Sequence, residues 1–218
     1  MIAILAGMLL PALNAARERG KNIRCVSNLK QLNLARVMYS NDYQEWIYPA
    51  QGMRSGSASW ISTYLTLKYT TTGNFRCPSE SKYPTQTAYG MNYTTFGYRW
   101  KHDKTTMVKT TRIDRILFNE GKRYNPVLFV DGITNSQQGS GDHVAVRGDY
   151  PYFYQLTPNN VYCMSARHAK VTANAILYDG STMALDKKLG HFSTRGGDML
   201  LYWRPSQQTP DVFKYNFY

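Results

Sequence analysis

The chain has 218 residues, with 26 Lys+Arg against 14 Asp+Glu and 43% hydrophobic residues, a length that fits one globular domain plus an appendage better than two full domains. Charged residues make up only 18% while aromatics reach 14%, with 18 tyrosines, which excludes a disordered chain, a long coiled coil and collagen. The formal charge of +12 favours an anionic partner, whether nucleic acid, lipid head groups or acidic glycan, without choosing among them.

Residues 1–13 are apolar or small throughout. As a helix they extend roughly 20 Å, against about 30 Å for a bilayer core, so this stretch alone cannot span. Arg17, Arg19, Lys21 and Arg24 follow the apolar run instead of preceding it, which disfavours a cleaved secretory signal. Beyond it Leu13, Ala16, Ile23, Val26, Leu29, Leu32 and Val37 recur at helical spacings, and neither Gly nor Pro interrupts residues 21–40. The pattern predicts one helix from about residue 2 to 42. Pro11 lacks an amide hydrogen and presses on the carbonyl of Gly7, so a kink or local melt is expected there. A helix apolar all round and then one-sided calls for two environments, which divides the chain into a helix over 1–43 and a β-rich head over 44–218.

From residue 44 short runs of Tyr, Thr, Val, Ile and Phe alternate with Gly, Pro, Asn, Asp and Ser clusters, the texture of strands and loops. Strands are expected at 88–93, 126–130, 152–156, 173–178, 182–185 and 199–203. Asp179-Gly180 between two of them is a hairpin signal, with a type I′ turn requiring positive φ at both positions. The fold class is therefore α+β: a long N-terminal helix on an antiparallel sheet with long loops.

Cys25, Cys77 and Cys163 are far apart in sequence and fit no zinc spacing, so the spacing predicts no metal ligation by cysteine and no cofactor. His102, His143, His168 and His191 coexist with Asp142, Asp149, Asp179 and Asp198, and His–Asp pairs can act as general bases. No nucleophile, zinc-protease or phosphate-loop motif accompanies them. The expectation is a chain without catalysis, in which His168 bonds a loop carbonyl or the turn and Asp179 bonds the turn's own backbone. On that view His168→Ala should be milder than Gly180→Val. A rival from another class rests on Arg99, Trp100, Lys101 and Lys104, which interleave cations with aromatics as single-strand nucleic-acid binders do. The same residues also suit a solvated strand edge whose lysines prevent pairing.

Residues 3–13, then Ala16-Arg17-Glu18-Arg19, then Cys25-Val26-Ser27-Asn28-Leu29-Lys30-Gln31-Leu32 resemble the bacterial type IV pilin-like proteins, specifically the type II secretion pseudopilin-like group. Further matches lie at Asp42-Tyr43, Trp60, Phe75-Arg76-Cys77-Pro78-Ser79, Tyr89-Gly90-Met91-Asn92 and Val127-Leu128-Phe129-Val130-Asp131. His168 followed by Asp179-Gly180 resembles the group's C-terminal signature of a His, nine residues, then Asp-Gly. Here ten residues intervene, and a bulge in or before the strand should absorb the extra one. The group's leader and Phe-Thr-Leu-Ile-Glu type of motif do not precede Ile2, so a truncated reading of the gene is expected.

The resemblance implies a structural subunit of a pilus-like or pseudopilus filament, held in the inner membrane before assembly, with its head outside the cytoplasm and with other pilin-like subunits as partners. Anchoring and assembly then fall to Ile2, Ile4, Leu5, Met8, Leu9, Leu10 and Leu13, with Pro11 as the kink. It further implies a disulfide between Cys25 and Cys77, leaving Cys163 as the odd thiol. The residues alone leave two buried free thiols open as the other outcome.

Overall fold

The computed structural model describes residues 2–50, 59–80, 87–92, 96, 108–114, 125–132, 145–146, 166–169 and 172–186. Its dominant element is a single helix, α1 (Ile2–Asp42), 41 residues and so about 60 Å long. Helix continues through Pro11 without a break, so the expected local melt does not occur. The carbonyl that Pro11 frees belongs to exposed Gly7, where nothing prevents its hydration. The C-terminus closes where Gln44 (φ 50) and Glu45 (φ 69) turn left-handed and Glu45 N–H reaches back to the Ser40 carbonyl at 2.7 Å, the six-to-one bond of a Schellman-type stop.

Beyond α1 run β1 (Trp46–Ile47), α2 (Trp60–Thr66), a 3₁₀ turn (Thr72–Phe75), β2 (Tyr89–Asn92), β3 (Val108–Lys109), α3 (Thr110–Asp114), β4 (Val127–Asp131), β5 (Ala145–Val146), β6 (Thr172–Leu177) and β7 (Thr182–Asp186). Ser59 caps α2, its hydroxyl accepting from Ser62 N–H. The main sheet has the order β5-β2-β4-β6-β7, and β1 with β3 forms a separate antiparallel pair. Strands β2, β4, β6 and β7 each run antiparallel to their neighbours. The edge strand β5 pairs parallel to β2 through Met91↔Ala145 and Asn92↔Val146, so the sheet is mixed at that edge. The expected strands at 152–156 and 199–203 lie outside the described residues.

Alternation along β6 sorts its two faces. Ile176 joins the large core toward α1, while Ala173, Ala175 and Leu177 pack with Val127, Val130 and Leu185 in a second cluster. The large core is aromatic: Trp60 packs on Phe129 in a tilted pair with ring centroids 4.7 Å apart and also meets Phe75 and Tyr64. The inner face of α1 differs from the apolar pattern. Leu29 and Leu32 are fully buried, but Leu13 and Ile23 are 65% and 69% exposed. Cys25, Asn28, Asn33, Ala35, Arg36, Tyr39 and Ser40 complete the buried face. Most of its polar side chains have specific partners across the interface: Asn28 Nδ2 donates to the Arg76 carbonyl (2.8 Å), Arg36 Nη2 to the Tyr178 carbonyl (3.0 Å), and Asn174 Nδ2 to Asn22 Oδ1 (2.6 Å) at the edge of the face.

No bulge lies within β6 on its β7 side, and residues 170–171, just before the strand, lie outside the described residues. Pairing of β6 with β7 is regular from Thr172↔Asp186 to Ile176↔Thr182. The register shift lies on β4, between Val127↔Leu177 and Phe129↔Ile176, where Leu128 is the extra residue.

Candidate functional site

Two places on the fold bring sequence-predicted residues together. The first is the β6–β7 turn. Gly180 N–H donates to the Leu177 carbonyl (3.0 Å) and Leu177 N–H to the Ser181 carbonyl (2.8 Å). Gly180 has φ 90 and Asp179 is not among the positive-φ residues. This is a type I turn followed by a left-handed glycine in a bulge, not the expected type I′ turn, because three residues and not two separate Leu177 from Ser181. Asp179 Oδ1 accepts from Ser181 N–H at 2.7 Å, an Asx turn. Partial burial pushes the Asp179 carboxyl upward, but the bonds from Ser181 and Asn125 outweigh it and hold the group below the usual carboxylate range.

This turn touches α1. A Cβ on Gly180 would sit 3.1 Å from Asn33 Nδ2, and Asn33 Oδ1 accepts from Arg36 Nε (3.2 Å) and Nη2 (2.9 Å). The Arg36 guanidinium lies over the Tyr178 ring, 4.6 Å from its centroid. Burial lowers Arg36 below the usual guanidinium range and pushes Tyr178 up to about 12, the latter against the pull of Arg36.

His168 is not part of that turn, and among the described contacts it bonds no loop carbonyl through its side chain. It is 3% exposed and forms a bridge with Thr172 at the entry to β6. Its Nε2 lies 3.0 Å from Asp131 Oδ2 at the end of β4, and its Nδ1 lies 3.4 Å from Ser79 Oγ. Asp131 is wholly buried; Oδ2 also accepts from Asn174 N–H (2.6 Å), and among the described residues Oδ1 has no hydrogen-bond partner. The Cys77 Sγ is 3.8 Å from His168 Nε2. Cys77 and Cys25 are joined in a disulfide between the 75–79 segment and the middle of α1, with Cα atoms 5.4 Å apart. Donor atoms of Cys25, Cys77 and His168 all lie within 4.8 Å of one another.

The other site residues are placed as follows. Leu9, Leu10, Pro11 and Leu13 are exposed on α1, and every residue from 9 to 20 is exposed. Ile2, Ile4, Leu5 and Met8 belong to the same helix, and their side chains lie outside the described residues. Arg99, Trp100, Lys101, Lys104 and Cys163 lie outside the described residues altogether, as do His102, His143 and His191. Among the described residues no helix is long and apolar enough to cross a membrane.

Sequence reasoning missed Asp131 and Arg36 as parts of these sites. Asp131 lay inside a quoted segment, but its partner His168 is 37 residues away across a strand pairing that spacing does not reveal. Arg36 carries no local signal of burial, because its partners, the Tyr178 ring and carbonyl, come from the head. No family model, curated protein or solved structure matches the chain.

Proposed function

We propose that the chain is a structural subunit of a pilus-like or type II secretion pseudopilus filament, assembled by packing of its N-terminal helix against copies of itself or related subunits. The observation that carries this reading is the divided helix. Residues 25–40 of α1 supply a buried face to the head, whereas residues 9–20 are exposed and carry Leu9, Leu10 and Leu13 at 67%, 59% and 65% exposure. The 19 residues from 2 to 20 extend about 28 Å as helix. Most helical stability in proteins comes from tertiary packing, which residues 9–20 lack among the described residues, and their exposed leucines suit a surface covered by a partner. Ile23 and Leu34, also exposed on the helix, extend the apolar surface alongside the head. The disulfide between Cys25 and Cys77 favours an oxidising compartment, which agrees with a head domain outside the cytoplasm.

Gel filtration and negative-stain microscopy of the full chain test this reading. The full chain should oligomerise or require detergent, and a chain starting at Gly20 should be a soluble monomer. Leu9→Glu with Leu13→Glu should return the full chain to the monomer. A detergent-free monomer from the unaltered full chain would remove the assembly role from α1.

A further inference from the structure

The geometry points to a metal site concealed under the disulfide: on reduction, Cys25, Cys77, His168 and Asp131 bind one zinc-type divalent cation. Donor atoms of Cys25, Cys77 and His168 lie within 4.8 Å of one another, and Asp131 Oδ2 joins them through His168 Nε2, 3.0 Å away. Tetrahedral zinc with bonds of about 2.0 Å to N or O and 2.3 Å to S requires ligand edges of roughly 3.6 Å for N···S, roughly 3.3 Å for N···O and about 3.8 Å for S···S. The existing edges are 3.8 Å from Cys77 Sγ to His168 Nε2 and 3.0 Å from His168 Nε2 to Asp131 Oδ2. Two changes complete the site: the sulfurs separate once their bond is broken, and the Asp131 carboxylate, which lies outside the 4.8 Å cluster of the other three, closes on the cation beside His168.

Surroundings favour the same occupant. Asp131 is fully buried and, among the described residues, its Oδ1 has no hydrogen-bond partner, so the carboxylate has an oxygen free to meet a cation. Ser79 Oγ, 3.4 Å from His168 Nδ1, is positioned to hold the ring while Nε2 ligates, and Asn174 N–H holds Asp131 Oδ2. Cys25, Cys77 and His168 are each at most 4% exposed, so the site would be a closed, structural one with four protein ligands.

The step balances as a two-electron exchange. A dithiol or phosphine reductant breaks the Cys25–Cys77 bond and is itself oxidised to a disulfide or phosphine oxide. The two cysteines are released as thiols. The cation then replaces both thiol protons, which pass to solvent, while His168 ligates as neutral imidazole.

The test uses the full chain carrying Cys163→Ala, reduced anaerobically with a phosphine and titrated with Co2+ as the spectroscopic probe for zinc. One Co2+ per chain should bind, with sulfur-to-cobalt charge transfer and the ligand-field bands of a tetrahedral centre; Zn2+ should displace it and raise the melting temperature of the reduced protein. The oxidised chain should bind none. His168→Ala and Asp131→Asn should each weaken Co2+ binding at least about tenfold. Absence of these bands in the reduced chain, the same bands in the oxidised chain, or equal affinity in both variants would overturn the assignment. If reduction unfolds the chain, refolding by one equivalent of Zn2+ supports the site and failure to refold overturns it.

Discussion

Gly180→Ala probes the link between the β6–β7 turn and α1. Gly180 has φ 90, and an L-residue held left-handed costs roughly 1–2 kcal/mol. The new Cβ would also stand 3.1 Å from Asn33 Nδ2, so the amide must shift. Its Oδ1 is the acceptor for Arg36 Nε and Nη2, and weakening a charge-assisted bond in a buried place adds about 1 kcal/mol. The total is about 2–3 kcal/mol, which for a chain of this size lowers the melting temperature by roughly 5–10 °C. Gly180→Asn separates the two causes. Asn carries the same Cβ but tolerates the left-handed region, so it should cost about 1 kcal/mol less than Ala. Denaturant unfolding of both variants, followed by circular dichroism, gives the comparison. A Gly180→Ala change within about 0.5 kcal/mol of the parent would refute the argument, since that is the range of an ordinary surface substitution. Equal costs for Ala and Asn would show that backbone strain plays no part.

Replacing Cys25 and Cys77 together by Ala, or reducing them without metal, should destabilise by about 4 kcal/mol in the chain-entropy model for a sequence separation of 52, read from denaturant midpoints with and without reductant. In the oxidised chain His168→Ala should cost about 3 kcal/mol, because it leaves a buried carboxylate with one partner fewer; a loss under 1 kcal/mol would show that the His168–Asp131 contact carries no stability. Burial pushes Tyr39 and Tyr178 up to about 12, against about 10 when unfolded. Raised folded values mean that the stability they contribute is fully present below pH about 10 and is lost as pH rises through about 12. Thermal midpoints measured over that window, together with tyrosinate absorbance, should show delayed ionisation ending in cooperative unfolding; a midpoint flat across the window would contradict it. Asp179 has the opposite sign: its carboxyl is held low, so its contribution is present at neutral pH and disappears as pH falls through its lowered folded value, a loss that Asp179→Asn should abolish.

The long helix was legible because residues 21–40 contain no Gly or Pro and their apolar residues recur at helical spacing, and β2, β4, β6 and β7 were legible to within a residue or so at each end. The face of α1 was less legible. Apolar periodicity selected Ile23, which is exposed, and passed over Asn28, Asn33 and Arg36, which are buried. Burial of those residues depends on carbonyls at Arg76 and Tyr178 supplied by the head, and nothing local to the helix announces them. The turn type was misread for a related reason: Asp179-Gly180 suits both a two-residue and a bulged three-residue hairpin, and the pairing of β6 with β7 decides between them. His168 and Asp131 meet only through the pairing of β4 with β6, and their nearness to two distant cysteines is invisible to any spacing rule for metal sites.

The polar residues on the buried face of α1 have a consequence that apolar packing could not deliver. Burial of hydrophobic surface is non-directional, so a helix held by Leu29 and Leu32 alone could slide or rotate at modest cost. Moving it by one residue along its axis means a 1.5 Å rise and a turn of about 100°. That shift would separate Asn22 from Asn174, Asn28 from Arg76, and Arg36 from the Tyr178 carbonyl, leaving several polar groups buried without partners at about 1–3 kcal/mol each. The Cys25–Cys77 bond adds a covalent stop at the same level of the helix. Register and rotation of α1 are thus fixed by a ladder of specific contacts spread over Asn22 to Arg36. On the filament reading this is what a subunit needs: the projecting half of the helix is packed by its neighbours, and a helix fixed in rotation against the head transmits that packing as a defined head orientation.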